Sequence, residues 1–286
     1  MATIKQIRRR IRSVKNTQQI TKAMEMVAAA KLRRSQDRVT SARPYAARIG
    51  AMLENLAAAA GDVSHPLFEV RPVRRRALVV IASDKGLCGS FNMNVIRAAE
   101  RIMEEGERSS WDLVPVGRRV NQYFGKRGWA FGYTLPELGD QVDAARAHAL
   151  AQELVAMQLR GQVDRVDILF TRFVSTMSRR VESVPLLPVA AGHIDGGAVK
   201  EYIYEPSAEA IFRTLLPRYV ENRILQVMAE SLASEHSARM VSMGAATNNA
   251  RDVISNLTLV ANKIRQAAIT REISEIVGGA DGQKRS

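Results

Sequence analysis

Cys88 is the one cysteine in a chain of 286 residues, and it sits in the turn Ser83-Asp84-Lys85-Gly86-Leu87-Cys88-Gly89-Ser90. A glycine-containing turn between a strand and a helix can hold an anion on its backbone N–H groups. Gly86, Cys88 and Gly89 also faintly suggest a nucleophile elbow with cysteine in place of serine. Neither chemistry finds its partners along the chain. No GxxxxGK[ST] occurs, which excludes a P-loop as written, and the four histidines show neither HExxH nor paired CxxC spacing. A single cysteine permits no intrachain disulfide and makes a reducing compartment the default. The segment therefore reads first as a structural or docking turn, with phosphate binding and catalysis as lesser readings. Neither a cofactor nor a metal is expected.

The second group of chemically active side chains is cationic. Residues 1–56 carry 13 Lys+Arg against 3 Asp+Glu, a net of +10 out of +13 for the whole chain. Lys5, Arg8, Arg9, Arg10, Arg12 and Lys15 could neutralise the phosphates of a nucleic acid. A zipper-type basic region, however, lies unpaired in a major groove. Here Ile4, Ile7, Ile11 and Val14 thread an apolar seam between the charges, so the segment is already packed against something. Tyr45 is the only aromatic residue before position 57, which removes the stacking platform of single-strand binders. Docking to acidic protein surfaces is the favoured reading, ahead of a merely solvated face. An Arg-rich, acid-free start also fits a mitochondrial transit peptide, but it lacks serine richness and runs without a break into a longer helical pattern.

These charges must be carried by a long helix. From Ile4 the apolar spacing alternates three and four through Val14, then Ala28, Leu32, Val39, Ala42, Ala46, Ile49, Leu53 and Leu56, a coiled-coil pattern. Gln18, Thr21 and Glu25 interrupt it, and the stripe is expected to move there to Ile20, Met24 and Val27, as a helix drifting against a period of 3.5 would. Thr3 and Gln6 form a capping box, and Pro44 is expected to kink the helix. A second long helix follows Ser207. It is helical in pattern from Val220 to Val277, with a 4-3-4-3 run at Val253, Leu257, Val260, Ile264 and Ala267, and a stop expected at Gly278-Gly279. Its middle, from Ala229 to Ala246, is rich in Ala, Ser and Gly, a slim surface that allows close backbone approach. Two such helices overshoot any small domain, so part of the pair must project.

Between them the pattern changes. Ala77–Ala82, Asp112–Val116 and Val166–Val174 read as strands, and Asn94–Glu107 and Val142–Leu159 as helices, which indicates a mostly parallel α/β sheet. Val181–Val189 and Val199–Tyr204 add further strands, the prolines placing the first near an edge. The longest stretch without a charge, Ser183–Ile194, is too short for a membrane span.

Thr21-Lys22-Ala23-Met24-Glu25-Met26-Val27-Ala28-Ala29, the Ser83–Gly89 turn, Ser234-Glu235-His236-Ser237-Ala238-Arg239-Met240 through Ala246-Thr247-Asn248, and Arg265-Gln266-Ala267-Ala268-Ile269-Thr270 together resemble the gamma subunit family of the rotary F-type ATP synthase, bacterial type. The likeness covers nearly the whole chain in the right order. It implies α/β architecture with an antiparallel coiled coil of N- and C-terminal helices, 1–60 and 207–286, on a central Rossmann-like foot, 61–206. It also implies that the Arg-rich start is a mature N-terminus. By the same resemblance the chain is a rotor shaft without a catalytic site of its own, coupling proton translocation to ATP synthesis or hydrolysis. Its implied partners are three alpha and three beta subunits, an epsilon subunit and the membrane c-ring, with no nucleic acid and no small-molecule ligand. Its implied location is a peripheral complex on the cytoplasmic face of the cell membrane. Met24 and Met26, with Lys22 and Lys31 as charge complements, would face acidic lever segments of the catalytic ring. Arg265, Gln266 and Thr270 resemble residues that hydrogen-bond a loop of one catalytic subunit. Lys85 and Cys88 would contribute a partner contact at the central turn, and Tyr202, Tyr204 and Glu205 would rest on the polar loops of the membrane ring. Ser90 stands where a second glycine is common, the tail Ala280–Ser286 is polar and basic, and no cysteine-pair insertion of the chloroplast type is present. The alternative is a coiled-coil nucleic-acid-binding or scaffold protein.

Overall fold

A computed structural model describes residues 3–59, 65–189 and 208–284. The chain divides into two compact units, Met1–Val27 with Met240–Ser286, and Ala28–Arg239. Helix α1 (Ile4–Ala59) begins at the anticipated capping box, with Thr3 N donating to Gln6 Oε1 at 3.0 Å and Gln6 N to Thr3 Oγ1 at 3.3 Å. It is continuous through Pro44. Helix α5 (Ala208–Lys284) runs through Pro217 and also past Gly278-Gly279. The expected stop is therefore corrected: glycine weakens a helix by about 1 kcal/mol per residue relative to alanine, but it does not force an end.

In the first unit α1 and α5 pack antiparallel, because Thr21 meets Thr247 while Glu25 meets Gly244. The α1 seam does not step aside at its polar positions. Thr21 is buried, whereas Ile20 and Val27 are more than half exposed and Met24 is half-buried, so the predicted shift of the stripe is overturned at Ile20 and Val27. The seam keeps its register because the partner surface is built for it: Gly244 has no side chain where Glu25 lies, and a Cβ there would sit 3.5 Å from the Glu25 carboxyl carbon. On α5 the covered positions are Met243, Thr247, Ala250, Ile254, Leu257, Ala261 and Ile264. Leu257 and Ile264 were anticipated, but Val253 and Val260 lie on the exposed side. Both stripes have helical 4-3 spacing, so periodicity alone does not choose between them.

The second unit holds a four-stranded sheet in the order β2-β1-β3-β4, with β1 (Arg76–Ile81) parallel to β2 (Trp111–Val116) and β3 (Arg165–Phe173), and β4 (Arg179–Leu187) antiparallel to β3. β4 ends the order, and a register shift falls opposite Pro185 and Leu187; an edge strand and an irregularity are places where a strand proline is tolerated. Successive side chains of β1 alternate between two cores. Leu78 and Val80 pack with α2 (Phe91–Met103) and the short α3 (Arg118–Gly125). Ala77, Val79 and Ile81 pack with α4 (Ala144–Leu159) and with Leu216, Val220 and Ile224 of α5. The slim face of α5 does what its composition suggested: Ser234 Oγ donates to Thr171 O at 2.9 Å, and Ser237 Oγ to Thr176 O at 2.6 Å. The predicted strand at Val199–Tyr204 lies outside the described residues.

Candidate functional site

Three places bring the singled-out side chains together. The first is the outward surface of the two-helix unit. Lys22 is exposed and pairs with Glu25 at 3.3 Å, Met24 is half-buried, and Met26 lies with Ile20 and Val27 off the seam. Carrying the Thr21–Thr247 pairing forward at equal rise per residue sets Ile4 level with Ile264. Beyond that level α5 has no stretch of α1 beside it. Arg265, Gln266 and Thr270 begin this unaccompanied stretch, all exposed, with Thr270 Oγ1 donating to Gln266 O at 3.0 Å. Ile269, Ile273 and Ile276 follow, 48%, 56% and 72% exposed. Spaced by four and three, these isoleucines share one face of the helix, and an apolar face left in water marks a surface made for a partner.

The second place is the central turn. Asp84 is its hub: Oδ1 accepts from the backbone N–H groups of Arg118 and Leu138 at 2.9 and 3.0 Å, and Oδ2 from that of Gly139 at 2.8 Å. Gly117, at φ +99°, lets this corner close, since a Cβ there would lie 2.1 Å from Ala82 O. Leu87 adopts a left-handed φ of 63° and is 61% exposed. Cys88 is 1% exposed; its sulfur lies 3.9 Å from Ser83 Oγ and accepts from Asn92 Nδ2 at 3.4 Å. Burial pushes its thiol pKa up, with the Ser83 hydrogen bond opposing, which is the reverse of what a nucleophile needs. Ser90 holds an ordinary φ of −83°, so its position does not require glycine.

The third place adjoins that turn. Lys31 Nζ lies 3.0 Å from Asp140 Oδ2, and Lys85 Nζ 3.2 Å from Oδ1. Their hydrogen bonds, Lys31 first, hold the Asp140 pKa below the usual carboxylate range. Arg38 donates to Gln141 Oε1 at 2.8 Å. Arg239 of α5 donates to Gly86 O at 3.2 Å and to Glu235 Oε1 at 2.5 Å. Burial raises the Glu235 pKa against the pull of Arg239. His236 is 1% exposed and neither ring nitrogen has a hydrogen-bond partner; the Asp140 backbone acts on the ring without hydrogen-bond geometry. Burial, then Arg239 and Lys31, lower its pKa to about 4. Sequence reasoning missed Asp140 because it is 55 positions from Lys85 and carries no local motif.

A cavity of about 820 Å³ lies between α4 and α5, where His148 Nδ1 sits 2.9 Å from Glu221 Oε2. Among the described residues no group of three or more His, Cys, Asp or Glu could hold a metal, and no helix is long and apolar enough to cross a membrane. Tyr202, Tyr204 and Glu205 lie outside the described residues.

Two long paired helices, a compact α/β unit and partner-ready surfaces define a shaft-type subunit of a larger machine. A family described as ATP synthase matches residues 3–282. The ATP synthase gamma chain of Desulforamulus reducens is 46% identical over 281 residues, covering 98% of this chain and 99% of that one. That of Chloroherpeton thalassium is 39% identical over 303 residues and the full length of both. Among solved structures, the central stalk and c-ring of the Tetrahymena thermophila mitochondrial ATP synthase aligns with TM-score 0.64 at 26% identity, over 79% of this chain and 99% of that one. The rotor of the Euglena gracilis enzyme, at 18% identity and TM-score 0.66, shares the fold. The chain belongs to the ATP synthase gamma chain family. It is a central-stalk subunit, a non-catalytic rotor within the ATP synthase complex.

Proposed function

We propose that the two-helix unit turns inside a ring of three alpha and three beta subunits, and that the α/β unit rests with an epsilon subunit on the c-ring at the cytoplasmic face of the cell membrane. One asymmetric shaft in a three-fold ring presents a different face to each catalytic subunit. Those differential contacts bias each subunit toward a different conformation, and rotation passes the bias on. Lys22, Met24, Met26 and Lys31 meet acidic lever segments, while Lys85 and the turn around Cys88 add a further partner contact at the central turn. The buried Cys88 side chain contributes by shaping the turn that displays Leu87. Tyr202, Tyr204 and Glu205 meet the polar loops of the c-ring.

The observation that carries this reading is the unaccompanied end of α5, where Arg265, Gln266 and Thr270 stand exposed beside Ile269 and Ile273. Among the described residues no side chain of another element pairs with these donors, which stand in water next to the isoleucines. Replacing Arg265 and Gln266 together by Ala removes charge-assisted hydrogen bonds worth about 1.5 to 3 kcal/mol each. Turnover of the complete complex is expected to fall while assembly persists. Wild-type kinetics in the double variant would remove these residues from the catalytic interface.

A further inference from the structure

Lys31 comes from α1 and Lys85 from the central turn, yet both ammonium groups converge on one carboxylate of their own chain, Asp140. We propose that Asp140 is a resident counter-ion that competes with an acidic segment of the catalytic ring for Lys31 and Lys85. The proposal rests on the shaft reading given above and adds to it a device for letting go.

Three observations support it. Asp140 is presented from a fixed position, because Asp84 anchors the preceding residues through the backbone N–H groups of Leu138 and Gly139. The carboxylate stands among several cations. A cavity of about 230 Å³ is lined by Lys31, Arg34, Ser35, Arg38, Asp140 and Gln141, so its lining carries three cations of one helix and one carboxylate, with room for a second. Finally, the pairs are exchangeable: the side chains of Asp140, Lys31 and Lys85 are 51%, 34% and 64% exposed, and ion pairs so open to water are weak and salt-sensitive. A buried pair would be a permanent strut. A rotor must release one catalytic subunit as readily as it engages the next. With Asp140 in place, a departing partner carboxylate is replaced by a resident one, so the ammonium groups are never left bare.

The test uses the full-length chain titrated into the alpha–beta ring across a range of salt concentrations. Asp140→Asn keeps the shape and removes the charge. It is expected to bind about two- to fivefold tighter at low salt, the scale of an exposed pair made available, with a steeper salt dependence. The gain should vanish when Lys31→Gln and Lys85→Gln are added. If Asp140→Asn lowers the melting temperature of the chain, Asp140→Ser replaces it and must give the same tightening. Unchanged or weaker binding by the charge-removed chain, with Lys31→Gln and Lys85→Gln still weakening the wild type, overturns the competition and leaves the shaft reading standing. No effect of the lysine substitutions in either background overturns both.

Discussion

Thr247 Oγ1 lies 2.8 Å from Thr21 Oγ1 inside the seam between the two long helices, and both residues are buried. Thr21 donates to Gln18 O at 3.0 Å, so in this pair it is the acceptor. The single proton of Thr247 is shared between Thr21 and Met243 O, each at 2.8 Å. A polar pair at one level of an apolar seam fixes register, because any slip separates the partners and leaves hydroxyls facing methyl groups.

Thr21→Val and Thr247→Val should each lower stability by about 1 kcal/mol, the net worth of one hydrogen bond. The double variant should cost less than the sum of the two, since nothing is then left unpaired. Urea unfolding of all four chains measures this coupling. Strict additivity would mean that the two hydroxyls do not act as a pair.

Asp84→Ala strips three backbone N–H groups, those of Arg118, Leu138 and Gly139, of their acceptor at once. A loss of about 3 kcal/mol or more is expected, read as a fall in melting temperature. Asp84→Asn, which keeps one carbonyl oxygen, should recover part of it. Near-wild-type stability of the alanine variant would show that water replaces the carboxylate without cost.

His236 links stability to pH. Its folded pKa of about 4 lies below the ordinary 6.5, so between these values the unfolded chain binds the proton and the folded chain does not. The stability contribution is complete above about pH 6.5 and declines as pH falls toward 4, by about 3 kcal/mol at most. Glu235, with a raised pKa, works the other way, losing stability as pH rises from about 4.5 toward its folded value. His236→Gln isolates the histidine: the urea midpoint of this variant should fall less than that of the wild type between pH 7 and pH 4.5. Equal slopes would mean that the ring is solvated in the folded chain.

The long helices were readable because each follows a period of 3.5 to 3.6 over many residues, and β1 because its short apolar run is that of a buried strand. Helix α3 was not, since eight residues with Val120 and Phe124 as their only buried positions offer no window for a period. Which stripe of a helix forms the seam was legible only in part. Ile20 and Val27 are the more apolar side chains, but the burial of Thr21 and the half-burial of Glu25 are decided by Thr247 and Gly244 on the other helix, more than two hundred residues away in the chain. The same holds for the central turn: its glycines announced a turn, whereas the grip of Asp84 and the meeting of Lys31 and Lys85 at Asp140 exist only after folding.

The serines that join α5 to the α/β unit bear on how a twisting load crosses that joint. A helix seated on purely apolar contacts can roll about its own axis by small repacking steps, since dispersion has no preferred direction. Ser234 and Ser237 are held at the carbonyls of Thr171 and Thr176, and Arg179 clasps Ser237 at 2.9 Å from the strand side. Hydrogen bonds weaken steeply with angle, so rolling the helix means breaking them together. The small side chains thus act as the teeth of a spline, keying the helix to the sheet against rotation while leaving its backbone close enough to stay in contact.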